Sequence, residues 1–190
     1  LRSVVANNSK STYEWFVSNP INNYNISVQI GNYVAVQDTF INGDKIHKME
    51  HYVLDYNKEL ASNYFTQSKE VIRFYEKYFG EYQWYEDGYK LIEVPYLGME
   101  HQSAVTYGNG FSIYNGVRSK SWPMYGVIDP LIIHETGHEW FGNSVTASDP
   151  THIWIHEGLQ VYSEAIYFED KFDSYEVGVH YLNSIKNRII

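Results

Sequence analysis

The sequence predicts an α+β fold, helices set around a small β-sheet, on three observations. Apolar and polar residues alternate through the first third of the chain, and from about Asn57 the period lengthens to that of a helix. The run Ile132-Ile133-His134-Glu135-Thr136-Gly137-His138 then carries two histidines at helical spacing. With 190 residues, 44% hydrophobic and 19% charged, the chain has globular composition and is long enough for one domain, or one domain and part of another.

The elements follow in order. Ile26, Val28 and Ile30 alternate with polar neighbours, Gly31-Asn32 is a turn pair and Tyr33–Gln37 is a β-branched and aromatic run, which together predict a hairpin. After the Asn42-Gly43-Asp44 turn, alternation from Ile46 to Leu54 predicts a third extended segment. His47 and His51 fall within it and read as ordinary strand residues, too far apart along a strand to share a metal ion. Leu60, Tyr64, Val71, Tyr75 and Phe79 recur at helical spacing, so Lys58–Phe79 is expected as one amphipathic helix with Asn57 as N-cap and Gly80 as stop. Strands are expected at Tyr89–Val94, Ala104–Tyr107 and Phe111–Tyr114, placing Gly98-Met99-Glu100 at a strand edge. Asp129-Pro130 is an N-cap and first-turn pair for the histidine helix, and Gly142-Asn143 closes it. Following the break at Asp149-Pro150, a helix from about Ile155 to Phe168 is expected to bury Ile155, Leu159, Tyr162 and Ile166, with Glu157 in its first turn. Ser174 is placed to cap a last helix towards Ile190.

Histidines four apart on a helix project from one face, so His134 and His138 can offer two imidazole nitrogens to one metal ion, a geometry that suits zinc. Glu135 lies about 100° round the helix from His134, beside such a metal rather than on it, where a general base would stand. A catalytic zinc takes three protein ligands and leaves one position open, and Glu157 in Trp154-Ile155-His156-Glu157-Gly158 is the candidate third. The alternative three-histidine pattern would need Gly and His where the chain has Phe141 and Ser144. Glu139, His101, His152 and His156 read as neighbours rather than ligands.

His-Glu-x-x-His-Glu-Trp-Phe-Gly-Asn at 134–143, Trp-x-x-Glu-Gly at 154–158 and Gly98-Met99-Glu100 upstream resemble the zinc aminopeptidases of the aminopeptidase N family, which includes the leukotriene hydrolase. The motif-bearing match runs from about Leu91 to Phe168; it departs from the family pattern at Leu97, His101 and His156, positions that bear on substrate detail. The resemblance implies a thermolysin-like catalytic domain preceded by strands that end an N-terminal β-domain, residues 1–56 and 57–190 respectively. It implies one zinc ion (Zn2+) held by His134, His138 and Glu157, with Glu135 as general base. Glu100, backed by Gly98 and Met99, would take the charged N-terminus of a peptide, and Glu164, seven residues after Glu157, would orient a metal-bound histidine. The family's oxyanion-stabilising tyrosine would fall beyond Ile190, Tyr162 and Tyr167 being too close to Glu157, so the chain would be an incomplete catalytic unit. An inactive zinc-bearing interaction module and a hydrolase of non-peptide amides or epoxides remain alternatives to a peptidase.

A net charge of −9 argues against a nucleic-acid partner and favours a cationic substrate group such as a peptide's free N-terminus. No apolar run approaches the roughly eighteen residues of a membrane span. The absence of cysteine removes disulfides and thiolate metal sites. No export signal is recognisable at Leu1-Arg2-Ser3, while 19 tyrosines and the Asn-rich stretch Asn19–Asn25 lean towards an exported protein, periplasmic or extracellular.

Overall fold

A computed structural model describes residues 1–7, 9–112 and 128–186. Strands β1 (Ser3–Asn7) and β2 (Lys10–Glu14) pair antiparallel as a separate two-stranded sheet. β3 (Tyr33–Asn42) and β4 (Lys45–Leu54) form a long hairpin closed at Gly43-Asp44. Gly43 takes a φ of +59°, the positive value that the first central residue of a type II′ turn requires, and this matches the twist of the flanking strands. The hairpin continues into β5 (Leu91–Glu93), β7 (Val105–Tyr107) and β6 (Gly98–Met99), giving a five-stranded sheet in the order β3-β4-β5-β7-β6. β4 pairs parallel with β5 and β5 with β7, whereas β6 lies antiparallel on the outer edge of β7.

The expected hairpin between Ile26–Ile30 and Tyr33–Gln37 is not formed. Ile26, Val28 and Ile30 are exposed and unpaired as strand, because β3 takes β4 as its partner across the tight Gly43 turn. Alternation alone marks an extended backbone without choosing its partner.

The expected helix over Lys58–Phe79 is divided into α1 (Lys58–Tyr64) and α2 (Ser68–Phe79) by a 3-10 turn at Phe65–Gln67. At the break Thr66 Oγ1 donates to the Asn63 carbonyl, Gln67 Nε2 to that of Tyr64 and Ser68 Oγ to that of Phe65, side-chain bonds that compete with the helical ladder. Asn57 makes no capping bond; its amide donates to Glu93 at 2.7 Å instead. Gly80 stops α2 as expected, at a φ of +96°. α3 (Pro130–Gly137) ends before Gly142, with His138 at its C-cap. α4 spans Trp154–Phe172 and α5 Tyr175–Ile185, where Ser174 occupies the N-cap position without a side-chain bond. The strand expected at Phe111–Tyr114 runs into residues outside those described.

The core between sheet and helices is rich in tyrosine, and each phenol that enters it brings a hydrogen bond. Tyr107 and Tyr64 donate to Asp129 at 2.7 and 2.9 Å, Tyr89 pairs with Thr136 at 2.6 Å, and Tyr75 reaches Ser163 at 2.8 Å while its ring stacks on Trp140. Asp129 also accepts from the Leu131 amide at 2.9 Å as N-cap. One carboxylate therefore fixes where α3 starts relative to β7.

Candidate active site

α3 presents His134 and His138 from one face, and the return loop 138–153 brings the first turn of α4 back across them. The loop is held by its own backbone bonds and by His156, whose Nε2 accepts from the Ala147 amide at 2.9 Å. The two imidazole Nε2 atoms lie 3.2 Å apart, and the Glu157 carboxylate oxygens stand 3.7 Å from that of His134 and 3.8 Å from that of His138. His134 donates Nδ1–H to Glu164 at 2.6 Å, and His138 donates Nδ1–H to the Phe141 carbonyl at 2.8 Å. Those donations set the tautomer, so both Nε2 lone pairs aim at one point. Burial lowers the pKa of His138, and a protonated His134 would lower it further, so the neutral, ligating ring is favoured. Converging lone pairs and a carboxylate repel one another unless a cation stands among them, and the donor set is what zinc takes. Among the described residues, His134, His138 and Glu157 bring one donor each within 4.8 Å of one another.

Glu135, the next residue round α3 from His134, is buried with its carboxylate against Gly98 of β6. Burial pushes its carboxyl up to about 8, opposed by His134 and reinforced by Glu100, Glu157 and Glu164. A Cβ on Gly98 would stand 2.9 Å from Glu135 Oε1, so the glycine admits this carboxylate. Glu100 follows β6 at the sheet's outer edge and is also buried. Glu157 by contrast is half open to solvent, its side chain 53% exposed.

The buried face of α4 differs from the expected one. Tyr162 is exposed, and His156, Gln160, Ser163, Glu164, Ala165, Tyr167 and Phe168 turn inward, a largely polar face that meets α3 and α2. Gln160 Nε2 donates to the Ile133 carbonyl at 3.2 Å, and Tyr181 on α5 donates to the far oxygen of Glu164. The polar face is viable in the core because Gln160, Ser163 and Glu164 are hydrogen-bonded there.

Sequence reasoning passed over a second set of residues that hold the Glu100 segment. Asn143 Nδ2 donates to the Glu100 carbonyl at 2.9 Å and to Glu139 Oε2 at 3.1 Å, and Glu139 Oε1 accepts from the Ser103 amide at 2.7 Å. From the N-terminal part, Asn25 Nδ2 donates to Asn143 Oδ1 at 2.9 Å and its carbonyl accepts from His101 Nδ1 at 3.0 Å. No local pattern signals a contact between residue 25 and residue 143; only the fold brings them together.

A sequence profile of the peptidase family M1 domain matches residues 64–189. The chain belongs to peptidase family M1. Human endoplasmic reticulum aminopeptidase 2 is 32% identical over 136 residues, 65% of this chain and 14% of that protein. Rat glutamyl aminopeptidase is 28% identical over 149 residues, 76% of this chain and 15% of that one, and the leucyl aminopeptidase of Saccharolobus solfataricus is 26% identical over 165 residues, 82% and 19%. The chain thus spans less than a fifth of these curated relatives. An M1 zinc metallopeptidase from Deinococcus radiodurans superposes with a TM-score of 0.72 at 16% identity, covering 98% of this chain and 40% of that one, and the same protein with a bound Tyr-Ser-Ala substrate gives 0.64 over 89% and 36%. These likenesses bear out the mixed α+β fold of this M1 chain. No helix among the described residues is long and apolar enough to cross a membrane.

Proposed function

We propose that this M1 chain carries the metal-binding part of a zinc-dependent aminopeptidase, with His134, His138 and Glu157 as ligands to one zinc ion. The observation that carries this reading is the convergence of two tautomer-fixed Nε2 atoms and a carboxylate beside a buried Glu135 and Glu100. Zinc bound there would supply Lewis acidity, polarising a peptide carbonyl and making a water molecule acidic enough to lose a proton near neutral pH. Glu135, buried beside the candidate ligands, would take that proton and hand it to the departing amine. Glu164, with Tyr181 behind it, holds the His134 ring in the ligating tautomer.

Glu100 places a buried carboxylate on the sheet edge beside Glu135, where it would pair with the ammonium of a peptide's free N-terminus and set which bond meets the water. Gly98 and Met99 lead the edge strand into it. We assign residues 1–56 to the end of an N-terminal β-domain and 57–190 to a thermolysin-like catalytic domain, a division supported by the change of periodicity near Tyr56 and bridged by the β4–β5 pairing of Tyr52 with Ile92.

The deciding experiment compares an aminoacyl substrate with its N-acetylated form on the complete zinc-loaded protein and on Glu100→Ala. The wild type is expected to favour the free amine strongly, and Glu100→Ala to lose that preference with zinc content unchanged. Equal treatment of the two forms by the wild type would instead favour a non-peptide substrate.

A further inference from the structure

The two ends of the Glu100–Ser103 turn are gripped from one place, the segment that follows His138. Asn143 binds the Glu100 carbonyl, Glu139 binds the Ser103 amide, and the two side chains are bonded to each other. The turn is a tight one in which Ser103 adopts a φ of +59°, and both its gripped residues are buried. The Asn143 amide has no spare valence, because Oδ1 accepts from Asn25 at 2.9 Å and Tyr24 at 3.4 Å while Nδ2 serves Glu100 and Glu139. Its orientation is therefore fixed, since a flipped amide would set two NH2 groups against each other and an oxygen against the Glu100 carbonyl.

We propose that Glu139 and Asn143 are positioning residues that clasp the Glu100 turn to the histidine helix and so set the distance between the metal site and the anchor for a substrate's free amine. Resting as it does on the reading of Glu100 as that anchor, the inference makes exopeptidase register a property of the clasp as well as of the carboxylate. His134 and His138 belong to α3 and its cap, whereas Glu100 belongs to the edge of the sheet, and among the described residues β6 has one strand neighbour to hold it. A shift of the turn by about 1 Å would move the anchor without touching a ligand, and displacements of that size cost about 10²-fold in rate. Asn25 and Tyr24 extend the clasp into the N-terminal part of the chain, so that part contributes to register although it lies outside the 64–189 profile match.

The test uses the complete zinc-loaded protein and four forms: wild type, Glu100→Ala, Asn143→Asp, and the pair Glu139→Gln with Asn143→Asp. Asp keeps the shape and the acceptor for Asn25 but turns an oxygen on the Glu100 carbonyl. The paired variant restores the bond between positions 139 and 143 and an acceptor for the Ser103 amide, yet still offers no donor to Glu100. Zinc content, melting temperature, and kcat and KM for free and N-acetylated aminoacyl substrates are read for each. Asn143→Asp is expected to keep its zinc, to lose about 10²-fold in kcat/KM on the free amine, and to approach the free-to-acetylated ratio of Glu100→Ala. The paired variant should regain melting temperature without regaining that ratio. A folded, zinc-loaded Asn143→Asp with the wild-type ratio, or recovery of the ratio in the paired variant, overturns the inference, as does failure of both to fold with zinc. A wild-type ratio in Glu100→Ala removes the anchor reading beneath it, an outcome distinct from failure of the Asn143 variants alone.

Discussion

Gly98 and Glu135 meet where the edge strand crosses the histidine helix. A Cβ at position 98 would lie 2.9 Å from Glu135 Oε1, 3.2 Å from its carboxyl carbon and 3.0 Å from the Thr106 carbonyl oxygen. The backbone side of that cage cannot give way, because Thr106 is paired with Met99 in the β6–β7 ladder. Position 98 thus stays small so that the carboxylate of the next element can occupy the space.

Gly98→Ala should therefore act on Glu135. The methyl must push the carboxylate off its place, and a general base misplaced by about 1 Å costs about 10²-fold in kcat. The three candidate ligands are untouched, so zinc content should hold. Kinetics on an aminoacyl substrate with metal analysis would check this; full activity would mean that Glu135 has room to move.

Glu135→Gln is expected to keep the metal and lose about 10²–10⁴-fold in turnover, the usual contribution of a positioned general base. The amide fills the same buried space but cannot take a proton from water. Near-wild-type turnover by a metal-replete variant would rule the role out.

The same two residues show what a sequence can and cannot disclose. Glu135 was legible because its position relative to His134 and His138 follows from helix geometry, which is local. Gly98 was legible only as part of the Gly98-Met99-Glu100 motif, and its close approach to a carboxylate appears only once β6 is laid across α3. The strands β4, β5 and β7 and the helical stretch from Lys58 to Phe79 were legible as periods, yet the break between α1 and α2 was not, the partner of β3 depended on the Gly43 turn, and Ile26–Ile30 found none. The inward face of α4 was misread because its buried residues are polar, and what satisfies them comes from α2, α3 and α5.

Glu164→Ala tests the support behind His134. Without the 2.6 Å acceptor, the ring is free to swap tautomer and turn its Nε2 away from the site. Zinc affinity should fall about 10- to 100-fold, the usual cost of losing such a partner, while His138→Ala should abolish tight binding. Chelator competition measures both; unchanged affinity in Glu164→Ala would sink the orienting role.

The hairpin should carry a pH dependence of its own through His51. This ring is buried beside Phe65 and Tyr89, and its Nδ1 accepts from the Leu91 amide at 3.0 Å, joining β4 to β5. Burial lowers its pKa from 6.5 to about 4, against Asp38 and with Lys69 and Lys90. Between those two values the unfolded chain binds a proton that the folded one refuses, so stability rises with pH across the window. The contribution is full above 6.5, falls as pH drops, and is gone near 4; by linkage it is on the order of 3 kcal/mol. His51→Asn keeps an acceptor near the Leu91 amide but has nothing to titrate. Denaturant unfolding of both proteins between pH 7 and 4 should show the wild type losing its advantage over the variant as pH falls, and two parallel curves would mean that water reaches the ring.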